Sequence, residues 1–208
     1  MVVGKLLIIK DLPPPYWNRF GARFDRYKDR RDMGNKVWKK IIAWDTAPDE
    51  SFFREIVRVS RNQIIWGGNY FSLPPCRCFL VWRKLTISDS FTMAMAEYAW
   101  TSFNANAKVF EMAPQGKKGD VRFHATQKPV ELYGWILKHF AKEGDTVFDP
   151  MMGSQSSRIA AGKMGFDYVG VEIDGDYFRK GNERYQRECL GMVKIDEKTV
   201  YKQTELFL

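Results

Sequence analysis

The chain has 208 residues, of which 45% are hydrophobic and 15% aromatic, with a formal net charge of +8. That size fits one α/β domain with a single core, and the apolar content excludes a disordered chain. No apolar run approaches the roughly 18 residues of a membrane span, the first ten residues read as a strand without a signal cleavage site, and three cysteines (Cys76, Cys78, Cys189) form no disulfide framework, so a reducing cytoplasm is expected.

In chain order, Gly4 to Lys10 reads as a buried strand of the parallel type. The turn Asp11-Leu-Pro-Pro-Pro-Tyr16 stops it. Residues 17 to 40 then carry nine Lys or Arg against three Asp, interleaved with Trp17, Phe20, Phe24, Tyr27 and Trp38. Positive charge with stacking surfaces is the composition of a nucleic-acid contact, through Arg19, Arg23, Arg26, Lys28, Arg30 and Arg31; the alternative is a solvated loop whose aromatics pack on the core. Pro48 to Ser60 reads as a helix with Phe52, Phe53, Ile56 and Val57 inward, and Thr46 with Asp49 resembles a capping box. Strands follow at Gln63 to Trp66, ended by Gly67-Gly68, and at Cys78 to Trp82, with shorter ones at Tyr98 to Phe103 and Val109 to Met112. In Trp66 to Phe71, Asn69 and Tyr70 are candidate contacts, whereas Trp66 and Phe71 suit packing. Cys76-x-Cys78 lacks a second pair, and His124 and His139 lack ligand partners, so no metal is expected. Residues 114 to 120 read as a linker. Val130 to Phe140 returns to helical spacing, with Val130, Tyr133, Ile136, Leu137 and Phe140 inward.

The next stretch carries the chemistry. A strand, Thr146 to Phe148, ends in Asp149; a small-residue turn follows at Gly153-Ser154, and a helix begins near Ser156. A second strand, Tyr168 to Val171, ends in Glu172, 19 residues after Gly153. This is the βαβ logic of an adenosine site: the turn admits the ligand to the backbone, the helix start faces it, and the next strand's acid takes the ribose hydroxyls. A ligand-free strand-turn-helix satisfies the same pattern. Asp174 and Asp176 suit capping of the following helix. The alternation of strands and helices predicts a three-layer, Rossmann-like α/β fold with a mostly parallel sheet.

Thr126-Gln-Lys-Pro129, Asp149-Pro-Met-Met-Gly-Ser154 and Gln63-Ile-Ile-Trp-Gly-Gly-Asn-Tyr-Phe71 together resemble the amino-methylating (N6-adenine or N4-cytosine) DNA methyltransferases, in the β-class motif order. The resemblance covers roughly residues 40 to 185. It implies a single methyltransferase domain over 1–208, a basic loop at 17–40 and a small target-recognition insertion at 83–123. It also implies S-adenosyl-L-methionine (SAM) as cofactor and double-stranded DNA as partner, as in restriction-modification enzymes. Carried onto this sequence, the cofactor residues are Gln127 and Lys128 on the methionine side, Asp149, Met151, Gly153 and Ser154 in the turn, and Glu172 on the ribose. Gln155 stands where the family more often has Gly; at a helix start a negative φ suffices, so Gln is expected to be tolerated there.

Family enzymes carry Asp-Pro-Pro-Tyr after the first strand. The carboxylate and the first Pro carbonyl accept hydrogen bonds from the target amine, and Tyr stacks on the flipped base. Here Pro14, Pro15 and Tyr16 match, but Pro13 holds the Asp position and Asp11 lies two residues upstream, about 6.6 Å away in an extended chain. Either the turn bulges to bring Asp11 in, or the carboxylate is missing. The expected function is therefore SAM-dependent methylation of an exocyclic amine, adenine N6 before cytosine N4 because the motif is not of the Ser-Pro-Pro-Tyr form. The alternatives are a catalytically impaired SAM- and DNA-binding homologue, and methylation of RNA or protein amines. The short insertion points to a short recognition site or to a partner chain such as a second copy in a homodimer.

Overall fold

The computed structural model describes residues 5–9, 48–90, 93–116, 122–124, 126–195 and 198–201. Its strands are β1 (Lys5–Ile9), β2 (Asn62–Trp66), β3 (Phe79–Arg83), β4 (Ala96–Thr101), β5 (Lys108–Glu111), β6 (Thr146–Asp149) and β7 (Asp167–Gly170), with β8 (Met192–Ile195) and β9 (Lys198–Tyr201) as a separate antiparallel pair. The helices are α1 (Glu50–Val59), α2 (Val130–Phe140), α3 (Ser156–Lys163) and α4 (Gly175–Cys189).

The main sheet has the order β5-β3-β4-β2-β1-β6-β7. β1 is parallel to both neighbours, with Ile8 opposite Ile64 of β2 and Leu6 opposite Val147 of β6. β6 and β7 are parallel, as are β3 and β5. β4 runs against β2 and β3, which makes the sheet mixed. The chain passes from β1 to β2 on one side and reaches β6 on the other. That reversal of strand order puts a topological switch point between β1 and β6, where open α/β sheets form a crevice at their carboxyl edge.

Side-chain alternation builds a core on each face. Ile64 and Trp66 of β2, Leu80 and Trp82 of β3 and Val147 of β6 pack with Leu132, Tyr133, Ile136 and Leu137 of α2 and Ala160 and Ala161 of α3. Ile65 points the other way and packs with Ile56 of α1 and Trp100 of β4, flanked by Phe52, Phe53 and Phe71. β2 is thus sealed on both faces, which is why Ile64, Ile65 and Trp66 follow one another without a polar residue between them.

The helix predicted over 130–140 is α2 with the same bounds. α1 begins at Glu50 under a different cap from the one expected. The N-cap is Asp49, which accepts from the amides of Ser51 (2.9 Å) and Phe52 (3.2 Å); Thr46 lies outside the described residues. Val57, expected inward, is 59% exposed: one helical step beyond buried Ile56, it turns past the line along which α1 meets the sheet. β7 starts and ends one residue before the expected strand.

Candidate active site at the carboxyl edge of the sheet

Asp149 ends β6 completely buried. One carboxylate oxygen accepts from the Met151 amide (3.0 Å) and the other from the Ser157 hydroxyl (2.5 Å) at the start of α3. Ser157 Oγ also lies 3.0 Å from the Tyr168 hydroxyl of β7. Burial and then the charge of Asp149 push the Tyr168 phenol well above its ordinary range, so it stays a neutral partner. Asp149 therefore ties strand, turn and helix together from within.

The turn then presents backbone outward. Gly153 has φ +49° and its amide donates to Glu172 Oε2 at 2.6 Å, while the Asp174 amide donates to Oε1 at 2.9 Å. Glu172, half-buried past the end of β7, is oriented by two backbone amides. A Cβ at residue 153 would meet the His124 ring at 3.0 Å, so glycine eases both the left-handed backbone and the close approach of the segment above it. Met151 is half-buried and Ser154 buried in the same turn. Asp174 caps α4, accepting from the amides of Asp176 and Tyr177.

Gln155 overturns the expectation made for it. Its φ is +58°, the left-handed region, immediately before α3. The side chain is buried and lies across α4: Nε2 donates to the Phe178 carbonyl (3.1 Å), and Oε1 accepts from Arg158 Nη1 (2.8 Å). These bonds hold a residue other than glycine in a conformation that glycine adopts more readily.

Residues 122–124 and 126–129 lie at the carboxyl edge as a strap. At one end the His124 ring rests on Gly153 and against Tyr177 of α4, with ring centres 4.3 Å apart. Gln127 is buried; its amide donates to the His124 carbonyl, and its side-chain oxygen accepts from the Phe123 amide. At the other end Lys128 is buried, its ammonium 5.4 Å from the Trp66 ring centre and 5.8 Å from that of Trp82. It donates to Glu97 Oε2 at 2.5 Å, and Lys84 Nζ meets Glu97 Oε1 at 2.6 Å. Burial pushes the Glu97 carboxyl up, but Lys128 and then Lys84 reverse this and bring it down to about 2.

Trp66 and Phe71 pack in the two cores, while Asn69 and Tyr70 are exposed just beyond β2. Gly67 takes φ +72°, and Gly68 leaves room for Trp100, whose Cβ a side chain there would overlap. The structure thus brings Gln127, Lys128, Asp149, Met151, Gly153, Ser154 and Glu172 to one edge. Asp11, Pro14, Pro15 and Tyr16, with Arg19, Arg23, Arg26, Lys28, Arg30 and Arg31, lie outside the described residues.

A family model described as DNA methylase, that of the N6/N4 methyltransferases, matches residues 22–183. The chain belongs to this DNA methylase family. Among curated relatives, it is 33% identical over 75 residues to the type II methyltransferase M.HpaI of Haemophilus parainfluenzae (36% of this chain, 24% of that one). It is 32% identical over 65 residues to the type II methyltransferase M2.DpnII of Streptococcus pneumoniae (31% and 24%). Each match spans about a quarter of the relative's length. The fold is that of TTHA0409 from Thermus thermophilus complexed with SAM (TM-score 0.53, 18% identity, 91% of this chain and 88% of that one). The M1.HpyAVI–SAM complex (TM-score 0.52, 16% identity, 88% and 90%) and the cytosine-N4-specific PvuII DNA methyltransferase (TM-score 0.52, 10% identity, 90% and 86%) share it.

Glu97 and Lys84 at the site's edge and His124 on the strap are residues to which sequence reasoning gave no role. The available signal for Glu97 was an acid inside the otherwise apolar strand Ala96-Glu-Tyr-Ala-Trp100.

Proposed function

We propose that the chain is a SAM-dependent DNA methyltransferase acting on an exocyclic amine in double-stranded DNA, adenine N6 in preference to cytosine N4. The observation that carries this reading is the convergence of the Gly153 turn, Glu172 and the strap at the switch-point edge of a chain from the DNA methylase family. The residues fit the cofactor. The bare Gly153 backbone lets the strap lie close over the turn, where a Cβ would meet the His124 ring, and the Glu172 carboxylate, with one amide on each oxygen, keeps a lone pair on each for two ribose hydroxyls. When bound, SAM supplies a methyl group on a sulfonium, which departs as a neutral thioether.

The chain's own residues do the rest. Asp11 and the Pro14 carbonyl accept from the target amine and draw its nitrogen towards tetrahedral geometry, Pro15 shapes the turn, and Tyr16 stacks on the flipped base. Arg19, Arg23, Arg26, Lys28, Arg30 and Arg31 neutralise phosphates. The form of the Pro-Pro-Tyr phrase supports adenine. The stretches of 83–123 outside β3, β4 and β5 are short, which supports a short recognition site or a homodimer. The cytoplasm is where this enzyme would meet DNA and SAM.

The test is incubation with labelled SAM and unmethylated duplex DNA, followed by nucleoside analysis. Label in N6-methyldeoxyadenosine is expected. SAM binding without transfer would favour the impaired homologue, and label in N4-methyldeoxycytidine would reverse the base preference. Asp11→Ala is expected to abolish transfer and spare SAM binding, because its contacts form in the transition state.

A further inference from the structure

We propose that Glu97 is a positioning residue of the cofactor pocket, acting through Lys128 on the strap that lies over the Gly153 turn. The proposal rests on the reading that this edge binds SAM. β4 is the reversed strand, so its first residues, Glu97 among them, lie at the carboxyl edge where the parallel strands end. Neither Glu97 nor Lys84 belongs to any motif that suggested the site.

The geometry is a relay. The Lys128 ammonium is 3% exposed and set between the faces of Trp66 and Trp82. Aromatic faces replace only a fraction of the hydration that an ammonium loses on burial, and a cation so placed stays down only if a carboxylate meets it. Glu97 does so at 2.5 Å. Lys84, itself 7% exposed, takes the other oxygen at 2.6 Å and lies 5.3 Å from the Trp82 ring centre. The carboxylate is thereby pinned from two sides and cannot rotate away. The depth of Lys128 sets the backbone of Gln127, which bonds to both Phe123 and His124, and the His124 ring rests on Gly153. Contact thus runs unbroken from β4 to the turn whose amide holds Glu172. Without the carboxylate, Lys128 would lose this ion pair and the strap would be held less firmly over the turn, the loss of support that loosens a binding site without removing any group that touches the ligand.

The test is calorimetry of SAM binding to the full chain and its variants Glu97→Gln, Lys128→Met and both together, with melting and duplex-DNA affinity measured in parallel. Glu97→Gln is expected to weaken SAM binding about tenfold, the loss that a broken bond to a charged group carries, while DNA affinity holds. Adding Glu97→Gln to Lys128→Met is expected to cost nothing further, because Glu97 acts through Lys128. Should Glu97→Gln fail to fold, Lys84→Met with Glu97→Gln removes one cation with the anion and is expected to show the same loss. A folded Glu97→Gln protein that binds SAM like wild type overturns the proposal, as do losses in Glu97→Gln and Lys128→Met that multiply in the double variant. If the wild type itself binds no SAM, the reading of the edge falls and the role of Glu97 with it.

Discussion

Glu172 and Glu97 stand on opposite sides of the switch point along the same sheet edge, and they are held in opposite ways. Glu172 accepts from two backbone amides, which orient it without cancelling its charge. Glu97 accepts from two ammonium groups, which consume it. Both acids are fixed in place, yet only at Glu97 do neighbouring cations compensate the carboxylate, while the partners of Glu172 are neutral amides. The contrast separates an acid arranged to bind from an acid arranged to brace. Asp149 between them belongs to the bracing kind, since both of its oxygens serve the turn from a fully buried position.

The largest expected effect is at Asp149. Asp149→Ala takes the acceptor from the Met151 amide and leaves the buried Ser157 hydroxyl to Tyr168, and should cost about 2–3 kcal/mol. In a chain of this size that corresponds to roughly 5–10 °C in thermal melting. Unchanged melting would show that the turn does not depend on its buried acid. Glu172→Ala should reverse the pattern: melting falls less than for Asp149→Ala, while SAM affinity drops by about 1.5–3 kcal/mol in calorimetry, the worth of charge-assisted bonds to the ribose hydroxyls. Equal affinity in wild type and variant would remove Glu172 from the binding side of the comparison.

Glu97 adds a pH signature. Its folded pKa, about 2, lies below the ordinary 4.5, so the stability it contributes is complete above pH 4.5 and is lost as the pH falls towards 2. Melting followed across that window should fall more steeply for wild type than for Glu97→Gln, with the two curves parallel above about pH 5.5. Parallel curves throughout would mean that Glu97 is not held by its lysines.

The degree to which this architecture was legible follows the range of the interactions. α2 was readable to its ends because apolar spacing over three turns is a strong local signal. Asp149, Gly153 and Glu172 were readable because a strand end, a turn and the next strand end occur in sequence order. The start of α1 was read three residues early because Asp49, given the N3 position of a capping box, is itself the N-cap. Glu97 and Lys128 lie 31 residues apart and meet only because β4 is reversed and the strap lies at the edge, information that no window of sequence contains. The sheet is mostly parallel as expected, but the reversal of β4 escaped notice for the same reason: composition shows that β4 is a strand but not its direction.

Gln155 carries the smallest expected effect and tests the local rules most directly. Its left-handed conformation costs about 1 kcal/mol for a residue with a Cβ, and its side-chain bonds to Phe178 and Arg158 offset that strain. The fit is close: a Cβ at Gly181 of α4 would lie 2.5 Å from Gln155 Nε2. Gln155→Gly relieves the strain and loses the bonds, so urea unfolding should place it within about 1 kcal/mol of wild type. Gln155→Ala keeps the strain and loses the same bonds, and it should unfold about 1 kcal/mol more easily than the glycine variant. Neither change reaches the Gly153–Glu172 bond, so SAM affinity should hold in both. If the alanine and glycine variants unfold alike, the left-handed backbone at 155 is not a constraint, and the side-chain bonds across α4 account for the residue by themselves.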